Sequence, residues 1–333
     1  MRKNLFRIIN YSLLIITSIA VSAQMKWVNI DSLYQPLPSS VHVYFTNEPI
    51  DTAPFRAYYL VADLKDKRLL FDADTTLNRR LTPAQFYQKN NQPLVVVNCT
   101  FFSFQTNQNL NVVIRDGRLV SYNIHSFTGR GKDTFTYRHP FGSAIGITKK
   151  REPDVAWLFT DSLRKFPYAK QYGESIITDS FRQITFQRVK AIRHSTHSDP
   201  KVKDYKRSFH KWKMQTAIGG GPVLLQSGEI KILNNEELKF AGKAIEDKHP
   251  RTAMGYTKDD KLIILMIEGR NAVAHGATLN QEAQVLKDLG CWEALNLDGG
   301  GSSCLLVNGK ETIKPSDATG QRAVPAVFLI KKK

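Results

Sequence analysis

The stretch ALNLDGGGSSCLLV at residues 294–307 decides how we interpret the rest of the chain. Its alternating leucines predict a buried strand that places Asn296 and Asp298 at its end, where three glycines interrupt the pattern before a second strand. Glycine lets the backbone approach a ligand closely, and consecutive N–H groups in such a turn can form an anion-binding nest. The stretch therefore predicts a site where a carboxylate, an amide and backbone donors converge. A tight structural turn, in which Asp298 only bonds turn N–H groups, is the alternative.

The first 23 residues have the pattern of a secretory signal peptide. Arg2, Lys3 and Arg7 precede an apolar run that ends in the small residues Val21-Ser22-Ala23. That run is shorter than the roughly 20 residues needed by a helix that spans a membrane. We therefore expect an exported protein, periplasmic or extracellular, without stable membrane insertion.

The composition points to an anionic partner and to stability from a core. Loss of the three positive charges in residues 1–23 lowers the formal net charge from +17 to +14. For an exported protein, such a charge favours anionic glycans, phosphate-containing polymers or membrane surfaces over nucleic acid, although a merely soluble basic surface is the alternative. Cys99, Cys291 and Cys304 form no C-x-x-C pair, which argues against a zinc knuckle or a disulfide scaffold.

The strand and helix signals predict an α+β fold of mixed, mostly antiparallel β-sheets with a few helices. Hairpins are predicted over Ala57–Asp72 and residues 112–120. Helices are predicted after the N-caps Thr82 and Thr278. We divide the chain into three parts. Residues 1–23 are the signal peptide, residues 24–93 are an N-terminal strand and hairpin segment packed on the main domain, and residues 94–333 are the main domain.

Two segments of the sequence resemble each other at a spacing of about 110 residues, which suggests a pseudo-repeat. We call this similarity the internal echo. HPFGSAIGITK at 139–149 resembles HPRTAMGYTK at 249–258, and the hairpin turn at 116–117 recurs at 227–228. Two copies of a β-rich half explain this pattern, and chance similarity between hairpins is the alternative. Only the second copy carries Arg251 and a following strand that ends in EGR at 268–270, so the chemistry is expected in the C-terminal half.

The segment from Thr160 to Trp212 is basic, with twelve Lys and Arg against five Asp and Glu, and it contains several aromatic residues. It forms either a groove for an anionic polymer or a solvent-exposed segment that extends away from the core. His194 and His197 resemble a metal-binding pair only weakly, because no carboxylate is patterned around them.

Four predicted strand ends carry polar, charged or glycine residues, and such ends can cluster in one cleft. The carboxylates of Glu268 and Asp298 are suited to acid, base or nucleophilic roles, while Glu268 as a structural partner of Arg270 or Arg251 is the alternative. The planar fork of arginine suits phosphate oxygens. Asp298 and Asn296 as ligands of a divalent cation also remain open, and no metal ligand is assigned.

A sugar joined through its anomeric carbon to a phosphodiester would suit a site with few carboxylates. Phosphate is a good leaving group, so its departure needs less help from a general acid than an ordinary glycoside does. A positively charged wall would stabilise the departing charge. One carboxylate can then be enough.

These motifs together resemble the phosphodiester glycosidase family. The resemblance spans roughly residues 94 to 330 and is strongest from Gln215 onward. The motifs that carry it are Asn98 with Phe101-Phe102, AIGGGP at 217–222, RTAMG at 251–255, EGR at 268–270, GATL at 276–279, LG at 289–290 and ALNLDGGGSS at 294–303.

The resemblance implies an exported hydrolase that releases a sugar, similar to N-acetylglucosamine, from a sugar phosphodiester or a phosphate-containing glycan such as an exopolysaccharide. The chain departs from the family at Cys99-Thr100, where Gly-Gly is usual, and at Glu268, where Asp is usual. The alternatives are a non-catalytic exported binder of anionic glycans or cell-surface polymers, and a hydrolase of another anionic polysaccharide. The resemblance implies catalytic roles for Asp298 and Glu268 and substrate binding by Asn98, Gly219, Gly220, Gly221, Arg251, Thr252, Arg270, Asn296, Gly299, Gly300, Gly301 and Ser302.

Overall fold

The computed structural model describes residues 25–128, 137–173, 175–178 and 209–333. The predicted signal peptide, the histidines His194 and His197, and most of the basic segment lie outside the described residues. No helix in the described part of the chain is both long enough and apolar enough to cross a membrane.

The strands of the first half are mostly short and largely buried. They are β1 (Val28–Asn29), β2 (Val41–Thr46), β3 (Ala57–Asp63), β4 (Leu69–Thr75), β5 (Val95–Asn98), β6 (Val113–Arg115), β7 (Arg118–Ser121), β8 (Phe127–Thr128), β9 (Tyr137–Pro140), β10 (Gly142–Ile147), β11 (Pro153–Phe159) and β12 (Tyr168–Lys170).

The second half continues with further strands and contains two of the three helices named here. The strands are β13 (Ser175–Thr178), β14 (His210–Lys211), β15 (Thr216–Gly219), β16 (Val223–Gln226), β17 (Glu229–Ile230), β18 (Arg251–Thr257), β19 (Lys261–Ile267), β20 (Cys291–Asn296), β21 (Leu305–Val307), β22 (Lys310–Glu311) and β23 (Ala326–Lys332); the helices are α1 (Pro83–Lys89), α2 (Asn234–Glu237) and α3 (Leu279–Asp288).

The two predicted helices form where their capping residues place them. The Thr278 hydroxyl accepts a hydrogen bond from Gln281 N at 3.1 Å, and the Gln281 side chain accepts one from Thr278 N at 3.0 Å. Thr82 and Gln85 form the same capping box at the start of α1. Each box satisfies backbone donors that the first turn of a helix leaves without a partner, so both predictions are confirmed.

The strands form four sheets, and every pairing in the described part of the chain is antiparallel. The predicted α+β fold with mostly antiparallel sheets is confirmed. The strand orders are β1-β2-β3-β19-β18-β20-β16-β17, β14-β12-β11-β10-β15-β6-β7, β22-β21-β5-β23-β4 and β13-β9-β8.

The three larger sheets share one arrangement, in which a middle strand lies between a short hairpin and a longer antiparallel pair. The middle strands are β20, β15 and β5. The echo in the sequence corresponds to two of these units, because the pairs β10–β11 and β18–β19 occupy equivalent places beside β15 and β20. The third unit escapes sequence comparison because its pair joins β23, at the end of the chain, to β4 near its beginning.

The predicted hairpin over Ala57–Asp72 is wrong in its pairing, although both of its strands form. β3 pairs with β2 and β19, whereas β4 pairs with β23 in another sheet. The guanidinium of Arg151 donates to the carbonyls of Leu64, Asp66 and Leu69, and so stabilises the connection between the two strands in a form that leads from one sheet to the next. Strand propensity is local, but the choice of partner depends on residues far along the chain.

The main core lies between the sheets and draws on all three of the larger ones. Met254, Ile145 and Phe328 come from different sheets and belong to one buried cluster. A second cluster packs α3 onto the eight-stranded sheet through Leu279, Ala283 and other side chains. The three middle strands are therefore fixed relative to one another, which determines where their ends meet.

Candidate functional site

The ends of the three middle strands are joined by hydrogen bonds. Asp298 N donates to Cys99 O at 2.8 Å, which links the segments after β20 and β5. Gly221 N donates to Asn296 O at 2.7 Å, and Asn296 Nδ2 donates to Gly221 O at 2.8 Å. The predicted convergence of these strand ends is therefore present in the structure.

Asn98 holds the loop after β20 in place. Its Nδ2 donates to Asp298 O, and its Oδ1 accepts hydrogen bonds from Thr252 Oγ1 at 3.1 Å and Cys304 N at 3.0 Å. Thr252 also contacts Ser303 Oγ at 3.1 Å. Asn98 and Thr252 are buried, so the structure places them beneath the loop rather than on a surface that a ligand reaches.

The glycines at 219–221 do not form an anion-binding nest. Their N–H groups donate to Val112 O, Ser143 O and Asn296 O at 2.8, 3.0 and 2.7 Å. A Cβ at Gly220 would clash with the carbonyl of Asn296. Close packing against neighbouring backbone and side chains, not ligand binding, explains the three glycines in the structure.

The glycines at 299–301 let the loop after β20 lie directly against charged side chains. A Cβ at Gly301 would clash with Arg322 and Asp317, and Gly300 has a φ of +61°, which favours glycine. Gly300 N donates to Pro250 O at 2.8 Å and so does not point to a ligand as a nest would require. Ser302 belongs to the same loop, and its side chain is buried.

The loop borders a pocket of about 220 Å³, which we call the Asp298 pocket. Six predicted site residues line it, and the other eight do not. The lining residues are Phe101, Phe240, Ala244, His249, Pro250, Arg251, Arg270, Leu297, Asp298, Gly299, Gly300, Gly301 and Arg322.

Arg251 is fixed in the pocket wall by backbone carbonyls. It is 3% exposed, its Nε donates to Ala277 O at 2.9 Å, and its Nη2 donates to Asp247 O at 3.0 Å. The buried carboxyl of Glu282 on α3 interacts with its charge; burial raises the pKa of Glu282 to about 8, and Arg251 opposes that shift. The acidic groups whose charges act on Arg251 are thus Glu282 and Asp247, and not Glu268.

Arg270 is the exposed cation of the Asp298 pocket. Its Nη2 lies 3.4 Å from His249 Nδ1, and its backbone φ is +63°. Burial and the charges of Arg251 and Arg270 lower the pKa of His249 below its usual value. A neutral imidazole is thus favoured beside two guanidinium groups, which keeps the positive charge of the wall on the arginines.

Asp298 lies among these cations with a strongly shifted pKa. Burial raises the pKa of its carboxyl to about 7, while the nearby Ser302 hydroxyl and the charge of Arg322 act in the opposite direction. Arg322 donates to both oxygens of Asp317, at 2.7 and 2.8 Å. A carboxyl group with a pKa near neutrality can exchange a proton at ordinary pH, as a general acid or base must.

Glu268 does not line the Asp298 pocket. Its Oε1 accepts a hydrogen bond from Asn271 Nδ2 at 3.0 Å, and its Oε2 lies 3.8 Å from Arg56 Nε. The structure thus uses this carboxylate in contacts at the end of β19 and does not bring it together with Asp298. Among the described residues, no three His, Cys, Asp or Glu side chains are grouped in a way that would hold a metal ion.

Seven lining residues of the Asp298 pocket, among them Arg322, Phe240 and His249, were missed by sequence reasoning. Arg322 and Phe240 lie in segments without a motif, and only packing brings them to the loop. His249 had a signal, because it begins the second copy of the internal echo, but that similarity predicts strands and does not indicate ligand binding.

The Asp298 pocket thus combines one carboxyl group with several guanidinium groups where the ends of antiparallel strands meet. The sequence model of the family described as phosphodiester glycosidase matches residues 167–331. The resemblance drawn from the motifs is therefore confirmed, and the chain carries a phosphodiester glycosidase domain.

Two curated proteins match short parts of this chain. The chain is 30% identical over 98 residues to mouse N-acetylglucosamine-1-phosphodiester alpha-N-acetylglucosaminidase, a match that covers 29% of this chain and 19% of the mouse protein. It is 40% identical over 83 residues to an uncharacterized SPbeta prophage-derived protein of Bacillus subtilis, YomE. This match covers 25% of this chain and 13% of YomE. The matches thus span less than a fifth of the length of either relative.

Solved structures share the fold at low sequence identity. The catalytic domain of zebrafish N-acetylglucosamine-1-phosphodiester alpha-N-acetylglucosaminidase, auto-inhibited by its pro-peptide, matches with a TM-score of 0.56 and 20% identity, over 93% of this chain and 89% of that one. A hypothetical protein from Synechocystis matches with a TM-score of 0.58 and 15% identity, over 88% and 62%. A putative exported protein from Burkholderia pseudomallei matches with a TM-score of 0.52 and 16% identity, over 86% of this chain and 75% of that one.

Proposed function

We propose that this protein hydrolyses the bond between a sugar and the phosphate of a sugar phosphodiester, with an N-acetylglucosamine-like sugar as the substrate class. The observation that carries the proposal is the position of the Asp298 carboxyl, with a pKa of about 7, in a pocket walled by Arg251 and Arg270. The mouse relative and the family description support the same class of reaction.

In this proposal the phosphodiester binds to the guanidinium groups of the pocket. Arg270 is exposed and contacts the phosphate oxygens, while the buried Arg251 adds positive charge from the wall. Placing fixed positive charge where negative charge develops is an effective way to stabilise a transition state.

Asp298 acts in its ionised form as a general base. It takes a proton from a water molecule whose oxygen forms a bond to the anomeric carbon. The bond from that carbon to the phosphate oxygen breaks, and its electron pair leaves with the phosphate. The departing group is already a stable anion held by arginine, so the second carboxylate, Glu268, is not needed in the pocket.

Replacement of Asp298 by Asn tests the proposal directly. Asp298→Asn removes the base and keeps the shape of the side chain, so kcat/KM on an aryl phosphodiester of N-acetylglucosamine is expected to fall by about 10² to 10⁴. Asp288→Asn is the matched control, because Asp288 is exposed on α3 and outside the pocket. Equal and low release of sugar by wild type and Asp298→Asn would support a non-catalytic binder of anionic glycans instead.

We also propose that the protein is exported, to the periplasm or the extracellular space. The support is the sequence pattern of residues 1–23, a basic start followed by an apolar run and a small-residue site. Expression of the full chain, fractionation of the cells and N-terminal sequencing of the product test this. A mature protein that begins at Gln24 is expected, and an uncleaved chain that stays in the cytoplasm would contradict export.

A further inference from the structure

A second pocket lies next to the Asp298 pocket and contains a lysine that the proposed reaction does not use. This second pocket, of about 150 Å³, we call the Lys239 pocket. Apolar side chains, among them Phe101, Leu110, Ile124 and Leu238, make up much of its lining, and its polar members are Asn111, Asn123, Glu237 and Lys239. Ligand pockets commonly combine apolar walls with a few polar groups that give specificity, and Lys239 is the cation of this lining.

The two pockets share a wall. Phe101 lines both of them, and its ring packs edge-on against Phe240 with 5.9 Å between the ring centroids. Phe240 lines the Asp298 pocket, whereas the preceding residue, Lys239, lines the other. A ligand that passes this pair of phenylalanines would therefore contact both pockets at once.

The ammonium of Lys239 has donor capacity left for a ligand. Its Nζ lies 5.1 Å from the centroid of the Phe101 ring, and no described residue accepts a hydrogen bond from it or forms a salt bridge with it. Burial lowers its pKa to about 8, and the charge of Glu237 acts in the opposite direction. The group is thus mostly protonated at neutral pH and only partly compensated.

The neighbouring carboxyl group, Glu237, is occupied by other partners. Its Oε1 accepts hydrogen bonds from Trp157 Nε1 at 3.0 Å and Val223 N at 2.8 Å, and its Oε2 accepts one from Ser143 Oγ. Burial raises the pKa of Glu237, and the charge of Lys239 opposes that shift. Glu237 therefore anchors the segment that carries Lys239 without neutralising it through a direct ion pair.

We propose that the Lys239 pocket is a second subsite, which binds a further anionic group of the substrate, a carboxylate or a second phosphate, apart from the phosphodiester in the Asp298 pocket. This inference rests on the proposed function, because it assumes that the phosphodiester occupies the Asp298 pocket. Lys239 forms the ion pair, and the apolar side chains pack around the group that carries the charge.

The test compares substrates that differ only in one distant charge. The phenyl and 4-carboxyphenyl phosphodiesters of N-acetylglucosamine form the matched pair, and uridine diphosphate N-acetylglucosamine supplies a second phosphate. Lys239→Met keeps the length of the side chain and removes its charge. Lys243→Met is the control, since Lys243 is exposed and lines neither pocket.

We expect Lys239→Met to raise KM for a doubly anionic substrate by about 10- to 100-fold, because a hydrogen bond to a charged group is lost. The kcat values and the KM for the phenyl ester are expected to stay unchanged. A rise for the carboxyphenyl ester alone identifies a carboxylate site, and a rise for the uridine compound alone identifies a phosphate site. Equal KM values for phenyl and carboxyphenyl esters in wild type, without a preference for the uridine compound, would overturn the inference. An equal effect of Lys239→Met on all substrates, or on none, would overturn it as well.

Calorimetric binding of the same compounds separates failure of the inference from failure of the proposed function. If wild type hydrolyses none of them, the proposed function fails. The subsite is then supported only if the doubly anionic compounds bind more tightly and lose that advantage in Lys239→Met. Thermal unfolding of both variants verifies that they are folded.

Discussion

At the scale of single residues, Asp298 combines a functional position with a cost in stability. Burial raises its pKa from 3.8 to about 7 in the folded protein. Between these values the folded state binds more protons than the unfolded state, so the free energy of unfolding falls as pH rises from about 4 to 7. The ionised carboxylate that the proposed reaction needs is therefore the less stable form of the folded protein.

This gives a prediction for stability. Asp298→Asn cannot ionise, so its Tm minus that of wild type is expected to increase between pH 4 and pH 8, which thermal unfolding at several pH values measures. Any contribution from other titrating groups, such as Glu282, is present in both proteins. A difference in Tm that stays constant over this range would show that the pKa of Asp298 is not raised.

A second prediction concerns Glu268, for which the family resemblance implies catalysis. Because its carboxylate contacts Asn271 and Arg56 outside the Asp298 pocket, Glu268→Gln is expected to keep kcat/KM within about threefold of wild type and to lower Tm modestly through loss of the ion pair. A loss of activity as large as that of Asp298→Asn, in a folded variant, would return the reaction to a scheme with two carboxylates.

Sequence reasoning located part of the site and could not locate the rest. Asp298 and Arg270 lie at predicted strand ends and Arg251 lies in the second copy of the internal echo, and the family resemblance implied their roles. Arg322 reaches the pocket only through the packing of its segment against Gly301. The direction in which Glu268 points also depends on Arg56 and Asn271, and spacing along the chain does not reveal it.

At the scale of elements, capping boxes fix the two longer helices, and α3 connects stability to the site. It packs Leu279 and Ala283 onto the eight-stranded sheet and carries Glu282 toward Arg251. Both helix starts were predictable, because a capping box is a local pattern of four residues. The pairing of β4 was not predictable, since its partner lies about 250 residues away in the sequence, a separation that local pattern reasoning does not cover.

The cap of α3 is open to a simple test. Thr278→Ala removes the acceptor for Gln281 N and is expected to lower the free energy of unfolding by about 1 kcal/mol, as measured by chemical denaturation. Thr278→Ser keeps the hydroxyl and serves as the control, with most of the stability retained. Equal losses in the two variants would mean that packing of the threonine methyl group, and not the cap, stabilises this helix.

At the scale of the whole molecule, three similar sheet units bring three strand ends to one place. The hydrogen bonds between Cys99, Gly221, Asn296 and Asp298 are the direct result. Two of the units are visible as an echo in the sequence, but the third is split between the two ends of the chain. The site depends on all three, so damage to a distant strand should affect it through loss of the fold.

The final strand tests this dependence. Leu329 on β23 is 0% exposed, whereas Leu163 is 89% exposed. Leu329→Ala is expected to cost about 2 to 5 kcal/mol in the free energy of unfolding, and Leu163→Ala less than about 0.5 kcal/mol. Denaturant titration of both variants measures the difference, and similar values for the two would contradict the burial of β23 in the cluster that contains Leu329 and Phe86 of α1.

The position of β23 between β5 and β4 also has a consequence for biosynthesis. Until the ribosome has translated β23, β4 lacks the neighbour to which it bonds along its full length. The five-stranded sheet consequently cannot be completed before β23 has been synthesised, and β4 has an unpaired edge until then.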